Sequence, residues 1–280
     1  QTLNRENELN TILEKMKKLL LSAFVICLAG TSIAQESPLW MRHCALSPDG
    51  TTIAFTYKGD IYTVPSTGGR ATQITTNPAF DTEPVWSPDS KQIAFASDRM
   101  GSLDVFVVSS EGGAPQRLTT HSGSEKPVAY KDNKHILFTA NIAPSAEDAG
   151  FPSGQFQQVY EVAVTGGRPA MFSSMPMECI SINKEGVMLY QDKKGYEDYW
   201  RKHQVSPIAR DIWTYTPGKK PVYQKQTTFG GEDREPVWSP DGKSFYYLSE
   251  EKGSFNIFQR TPGTTTSQQI TFHTKHPVRF

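Results

Sequence analysis

The sequence predicts an all-β protein, a β-propeller of four-stranded antiparallel blades, and three observations carry that prediction. A Ser-Pro-Asp-Gly type of turn recurs five times along the chain. Two short runs of β-branched and aromatic residues follow each copy. A Gly-Gly or Pro-Gly pair then leads into a short polar strand. Repetition of one multi-strand unit about every 40 residues or more is the mark of blades stacked around an axis.

The turns read in order as Ser47-Pro48-Asp49-Gly50, Ser87-Pro88-Asp89-Ser90, Tyr130-Lys131-Asp132-Asn133, Ser181-Ile182-Asn183-Lys184 and Ser239-Pro240-Asp241-Gly242, the third and fourth being weaker copies. Pro fixes φ at the second position, Asp or Asn bonds back to the backbone, and Gly tolerates the exit. The run after each turn is Ile53-Ala54-Phe55, Ile93-Ala94-Phe95, Ile136-Leu137-Phe138, Val187-Met188-Leu189 or Phe245-Tyr246-Tyr247. The next is Asp60-Ile61-Tyr62, Asp104-Val105-Phe106, Gln158-Val159-Tyr160, Asp211-Ile212-Trp213 or Asn256-Ile257-Phe258. With an opening strand such as Glu83-Pro84-Val85-Trp86 and a closing strand such as Gln73-Ile74-Thr75, each copy holds four strands. One such sheet cannot cover both of its faces, so neighbours must stack. Trp86, Phe95, Phe106, Trp213, Trp238 and Phe258 are expected in that inter-blade core. A β-sandwich also has many short strands, but it does not repeat one four-strand, two-turn order five times.

Lys275 to Phe280 reads as the opening strand of a sixth copy, so residues 35–280 are expected to be an incomplete propeller from a longer, six-bladed parent. The first residues follow other rules. Lys15, Lys17 and Lys18 precede an apolar run from Leu19 to Ala29, and Ser32-Ile33-Ala34 ends it. That order predicts a signal peptide over 16–34, hence an exported, periplasmic or cell-envelope protein, with 1–15 as an upstream, non-native segment. Cleavage there leaves Cys44 and Cys179, read as two unconnected, half-buried thiols.

Lys+Arg and Asp+Glu both number 29, so no net charge draws the chain to nucleic acid. No Gly-x-Ser-x-Gly elbow or other catalytic constellation occurs, and no catalytic, cofactor-binding or metal-ligating residue is assigned. The turn aspartates supply one carboxylate each, too few for calcium. Asp60, Asp104 and Asp211 are expected to be satisfied by backbone donors of the preceding loop.

Added length falls in two places, Asn141 to Gln157 and Gln191 to Arg210, both between the second and third strands of their blades. Both therefore emerge on one face, where insertions commonly bind. The second holds Tyr196, Tyr199, Trp200, Arg201, Lys202 and His203, the types that dominate binding hot spots. These six are the candidate contacts for peptide or for another domain.

The Ser-Pro-Asp-Gly blades, Asp-Ile-Tyr strands and Gly-Gly turns resemble the propellers of TolB-type periplasmic proteins and tricorn-type peptidases. Gly195 to Gln204, followed by Ala209-Arg210-Asp211-Ile212-Trp213, resembles a fourth-blade insertion of exported tricorn-like peptidases. The resemblance implies a large serine peptidase as parent, with a second propeller, a PDZ-like module and a C-terminal catalytic core beyond Phe280. It implies that this propeller is a non-catalytic gate or docking platform for peptides and unfolded polypeptides, touching downstream domains of its own parent. Homo-oligomerisation is left open. The alternative is a stand-alone TolB-like scaffold that binds proteins in the envelope. A third reading, the prolyl-oligopeptidase class, requires an α/β-hydrolase domain downstream.

Overall fold

The computed structural model describes residues 40–142, 156–195, 205–275 and 277–278. These form twenty strands in five four-stranded antiparallel sheets, each a simple meander. Blade 1 is β1 (Arg42–Leu46), β2 (Thr52–Tyr57), β3 (Asp60–Pro65) and β4 (Thr72–Gln73). Blade 2 is β5 (Asp81–Trp86), β6 (Gln92–Ser97), β7 (Asp104–Ser109) and β8 (Gln116–Arg117). Blade 3 is β9 (Lys126–Asp132), β10 (His135–Ala140), β11 (Gln158–Ala163) and β12 (Ala170–Ser173). Blade 4 is β13 (Met177–Ile182), β14 (Met188–Asp192), β15 (Ile212–Thr216) and β16 (Val222–Lys225). Blade 5 is β17 (Asp233–Trp238), β18 (Phe245–Ser249), β19 (Asn256–Arg260) and β20 (Gln268–Gln269). The opening strands β1, β5, β9, β13 and β17 neighbour one another in that order, as the innermost strands of a propeller must.

The core lies between blades. Ala54, Ile61 and Ile74 of blade 1 pack on Trp86, Ile93 and Phe95 of blade 2. Ala94, Val105 and Leu118 then meet Tyr130, Ile136 and Phe138, and Leu137 and Val159 meet Met188 and Tyr190. Leu189 and Ile212 close the series on Phe245, Tyr247 and Phe258. Period-two alternation therefore gives each sheet two apolar faces, one for each neighbour. Indoles stitch the seams as well: Trp86 Nε1 donates to Ala45 O (2.9 Å), and Trp238 Nε1 to Val187 O (3.1 Å).

The strong turns fold as their residues dictate. Ser47 Oγ donates to Asp49 (2.6 Å), Thr51 N donates to the same carboxylate (2.9 Å), and Gly50 exits at φ 75°. The two weak copies shift register. In blade 4 the turn is Asn183-Lys184-Glu185-Gly186, two residues later than Ser181 to Lys184. Asn183 Oδ1 accepts from Val187 N (2.9 Å), and Gly186 N donates to Asn183 O (3.0 Å). Asn183 thus does the work of Ser47, while Ser181 stays in β13. In blade 3, Tyr130 and Lys131 remain in β9, and Asp132 Oδ1 alone turns the chain by accepting from Lys134 N and His135 N.

The acids Asp60, Asp104 and Asp211 also differ from expectation, because side chains rather than backbone donors face them. Asp60 accepts from Thr75 Oγ1 (3.3 Å), Asp104 pairs with Arg117 (2.8 Å), and Asp211 pairs with Lys225 (2.8 Å). The Thr hydroxyl of the closing strand accepts the next backbone N–H at 2.9 to 3.0 Å in four blades: Ile61 to Thr75, Val105 to Thr119, Ile212 to Thr227 and Ile257 to Thr271. After blade 5, Val278 N donates to Phe255 O (3.0 Å), the kind of bond that Asp81 N makes to Gly59 O in returning the chain to the innermost strand.

Candidate functional site

Each innermost strand is bulged, two residues opposing one on its partner. A bulge bends the strand and re-aims the extra side chain. Four bulges place a non-glycine residue in the left-handed region: His43 (φ 51°), Glu83 (φ 55°), Cys179 (φ 53°) and Glu235 (φ 54°). Such backbone costs about 1 kcal/mol or more and survives where surrounding structure fixes it.

Side chains of the bulges reach neighbouring innermost strands across the seams. Lys126 Nζ of blade 3 donates to Glu83 Oε1 of blade 2 at 2.7 Å. Cys179 Sγ of blade 4 donates to Glu235 Oε2 of blade 5 at 3.4 Å. His43 of blade 1 lies within electrostatic reach of Glu83, Lys126 and Glu235. Desolvation lowers its imidazole pKa, opposed by Glu83 and Glu235 and aided by Lys126 and Arg42. Burial, then Glu235 and Glu178, push the Cys179 thiol well above its ordinary value, so it stays a neutral donor. Cys44 and Cys179 are both free.

Tyr196, Tyr199, Trp200, Arg201, Lys202 and His203 lie outside the described residues, as does most of the first insertion. The roots of the second insertion are described and ion-paired into the propeller. Lys193 pairs with Glu178 (3.0 Å), and Lys194 with Asp211 (2.5 Å). Arg210 bridges Glu178 (3.2 Å) and Glu232 (3.3 Å), joining blade 4 to the start of blade 5. Against desolvation, Gln191, Lys193 and Arg210 hold Glu178 below the usual carboxylate range. Gln191 also ties the network to the axis: it donates to Glu178 (3.0 Å) and accepts from Glu235 N (2.8 Å). One continuous polar network therefore runs from the insertion roots to the bulge of β17.

Sequence reasoning did not identify His43, Glu83, Lys126, Cys179 or Glu235. The available signal was the recurrence of Glu-Pro-Val-Trp at Glu83 and Glu235, where a charged residue stands next to the strand core.

The tricorn protease N-terminal beta propeller domain family is matched over residues 38–280. The chain is 39% identical over 213 residues to tricorn protease homolog 1 of Streptomyces coelicolor, covering 75% of this chain and 19% of that protein. Among solved structures, the tricorn protease superposes with a TM-score of 0.69 at 17% identity, over 86% of this chain and 23% of that one. A putative TolB from Agrobacterium tumefaciens superposes with a TM-score of 0.65 at 14% identity, over 83% of this chain and 81% of that one. Both structural likenesses speak to fold alone. The chain spans about a fifth of the length of the peptidase relatives it matches. With five meander blades and a match reaching from residue 38 to residue 280, the chain belongs to the tricorn protease N-terminal beta propeller family.

Proposed function

We propose that this propeller is a non-catalytic receiving platform for polypeptide substrates within a larger, exported serine peptidase. Substrate meets the insertion at Tyr196, Tyr199, Trp200, Arg201, Lys202 and His203, then the bulge side chains at the axis. The supporting observation is the polar network that links Lys193, Glu178, Gln191 and Glu235 in one path from insertion root to axis. Membership of the tricorn propeller family supports the peptidase context. The charged, apolar and small-residue order over 16–34 supports export. Residues beyond Phe280 supply a sixth blade and the catalytic core in this reading.

The test replaces Tyr199, Trp200 and Arg201 together by Ala in the complete parent. Hot-spot truncation of this kind predicts a fall of about tenfold or more in kcat/KM for long polypeptides. Short chromogenic peptides should be turned over as before, and the melting temperature should hold. Unchanged turnover of long substrates contradicts the platform role.

A further inference from the structure

We propose that the seam between blades 1 and 2 is a binding groove for a short zwitterionic peptide, with Arg70 receiving its carboxylate and Glu111 its ammonium group. The groove is lined by the turns between the first and second and between the third and fourth strands of blades 1 and 2, and has a volume of about 390 Å³. Small-ligand sites run from roughly 300 to 1,000 Å³.

Two other seams carry a side-chain bridge that this one lacks. Between blades 2 and 3, Gln116 Nε2 donates across the seam to Thr165 O (3.2 Å). Between blades 4 and 5, Gln226 Oε1 accepts across it from Gly263 N (3.0 Å). Register places Thr72 where blade 2 has Gln116, since Thr72 pairs with Thr63 as Gln116 pairs with Val107. Ile74 stands where blade 4 has Gln226, each donating its N–H to the first Ile of the third strand (Ile61 or Ile212, both 2.8 Å). A threonine is too short to bridge and an isoleucine has nothing to bridge with. The gap remains.

The lining suits a ligand with two unlike charged ends. Arg70 stands on the blade 1 wall and Glu111 on the blade 2 wall. Neither side chain has a hydrogen-bond or ion-pair partner among the described residues, and they do not pair with each other. A simple anion or cation would leave one wall unmatched; a zwitterion spanning the gap satisfies both. Guanidinium binds a carboxylate through two parallel N–H bonds, which fixes that end. Ser110 adds a hydroxyl able to donate to a peptide carbonyl or accept from a peptide N–H, while those of Thr51 and Ser90 are engaged with Asp49. Asp49 Oδ1 is held by Ser47 Oγ and by Thr51 N and Oγ1, whereas the Glu111 carboxylate has no such partners. Ile74 and Trp86 form an apolar floor for one side chain. The groove shares no residue with the axial platform.

Isothermal titration of the full chain with alanyl-leucine tests it. Two capped forms, N-acetylated and C-amidated, serve as comparisons. So do the variants Arg70→Gln, Glu111→Gln and Thr72→Gln, all at exposed positions and checked for an unchanged melting temperature. The expected result is saturable binding, weakened about tenfold by either cap or either charge removal. Thr72→Gln should weaken it as strongly, by bridging the seam as Gln116 does. Absence of saturable binding up to about 10 mM, or binding indifferent to the caps and to all three variants, overturns the proposal. Sensitivity to one cap alone overturns the two-ended recognition.

Discussion

Asp81, Glu125 and Asp233 stand at or just before the start of their innermost strands, and each donates its backbone N–H to the loop before the third strand of the preceding blade. Their surroundings differ. Asp81 is ion-paired with Arg99 at 2.9 Å. In blade 5 the residue two past the equivalent serine is Glu251, a like charge. Burial, with Asp211 and Glu251 adding to it, raises the Asp233 pKa to about 7. An unfolded aspartate titrates near 3.9. Between about pH 4 and pH 7 the folded chain therefore binds more protons than the unfolded chain, so stability falls as pH rises through that window. The full shift corresponds to roughly 4 kcal/mol as an upper bound. Asp233→Asn should raise stability at pH 8 by about 1–3 kcal/mol and change little at pH 4, read from urea midpoints. A pH profile identical to that of the parent chain argues against a buried, protonated Asp233. A second residue-scale expectation concerns Thr119, whose hydroxyl accepts the buried Val105 N–H at 2.9 Å. Thr119→Val keeps the shape and orphans that donor, at a cost of about 1–3 kcal/mol in the same assay. Thr119→Ser, which keeps the acceptor, should cost less.

At the scale of elements, the three turns that carry Pro were legible because φ of the second position is set by covalent chemistry and cannot slide. The fourth turn has Ile182 in that place, and pairing of β13 with β14 decided its register instead. Asn183 then supplies the acceptor for Glu185 N (3.1 Å) and Val187 N (2.9 Å). Asn183→Ala is accordingly predicted to cost about 1–2 kcal/mol in chemical denaturation, against less than about 0.5 kcal/mol for neighbouring Lys184→Ala. Equal effects would restore the register that the sequence alone suggested. The alternation of apolar residues was legible for the same local reason, and so was the inter-blade core built from Trp86, Phe95, Phe106 and Phe258. The axial side chains were not legible. A bulge arises from a mismatch between two paired strands, and no residue type announces it; Glu83 and Glu235 even precede prolines, where the left-handed region is disfavoured.

For the whole molecule, the two end blades present faces that interior blades cover. Val237 of blade 5 is 55% exposed and Ile270 40%, whereas the equivalents of Ile270 in blades 1 and 2, Ile74 and Leu118, are 6% and 4% exposed. Leu46 occupies on blade 1 the place of Trp86 and is 56% exposed. Val237→Asp should leave the stability of this chain within about 0.5 kcal/mol, while Ile74→Asp should cost about 4 kcal/mol or more by burying an unpaired charge. In a parent with a sixth blade on this face, Val237→Asp should become as damaging as the interior change; thermal melts of both forms decide it. The central claim, that polypeptide passes along the insertion face to the axis, is tested most directly by site-specific photo-crosslinking in the complete parent. A photoreactive residue at position 83, beside the axis, should trap a long polypeptide substrate, and one at exposed position 222 on the outer strand of blade 4 should not. Trapping at position 222 equal to or above that at position 83 would contradict the account.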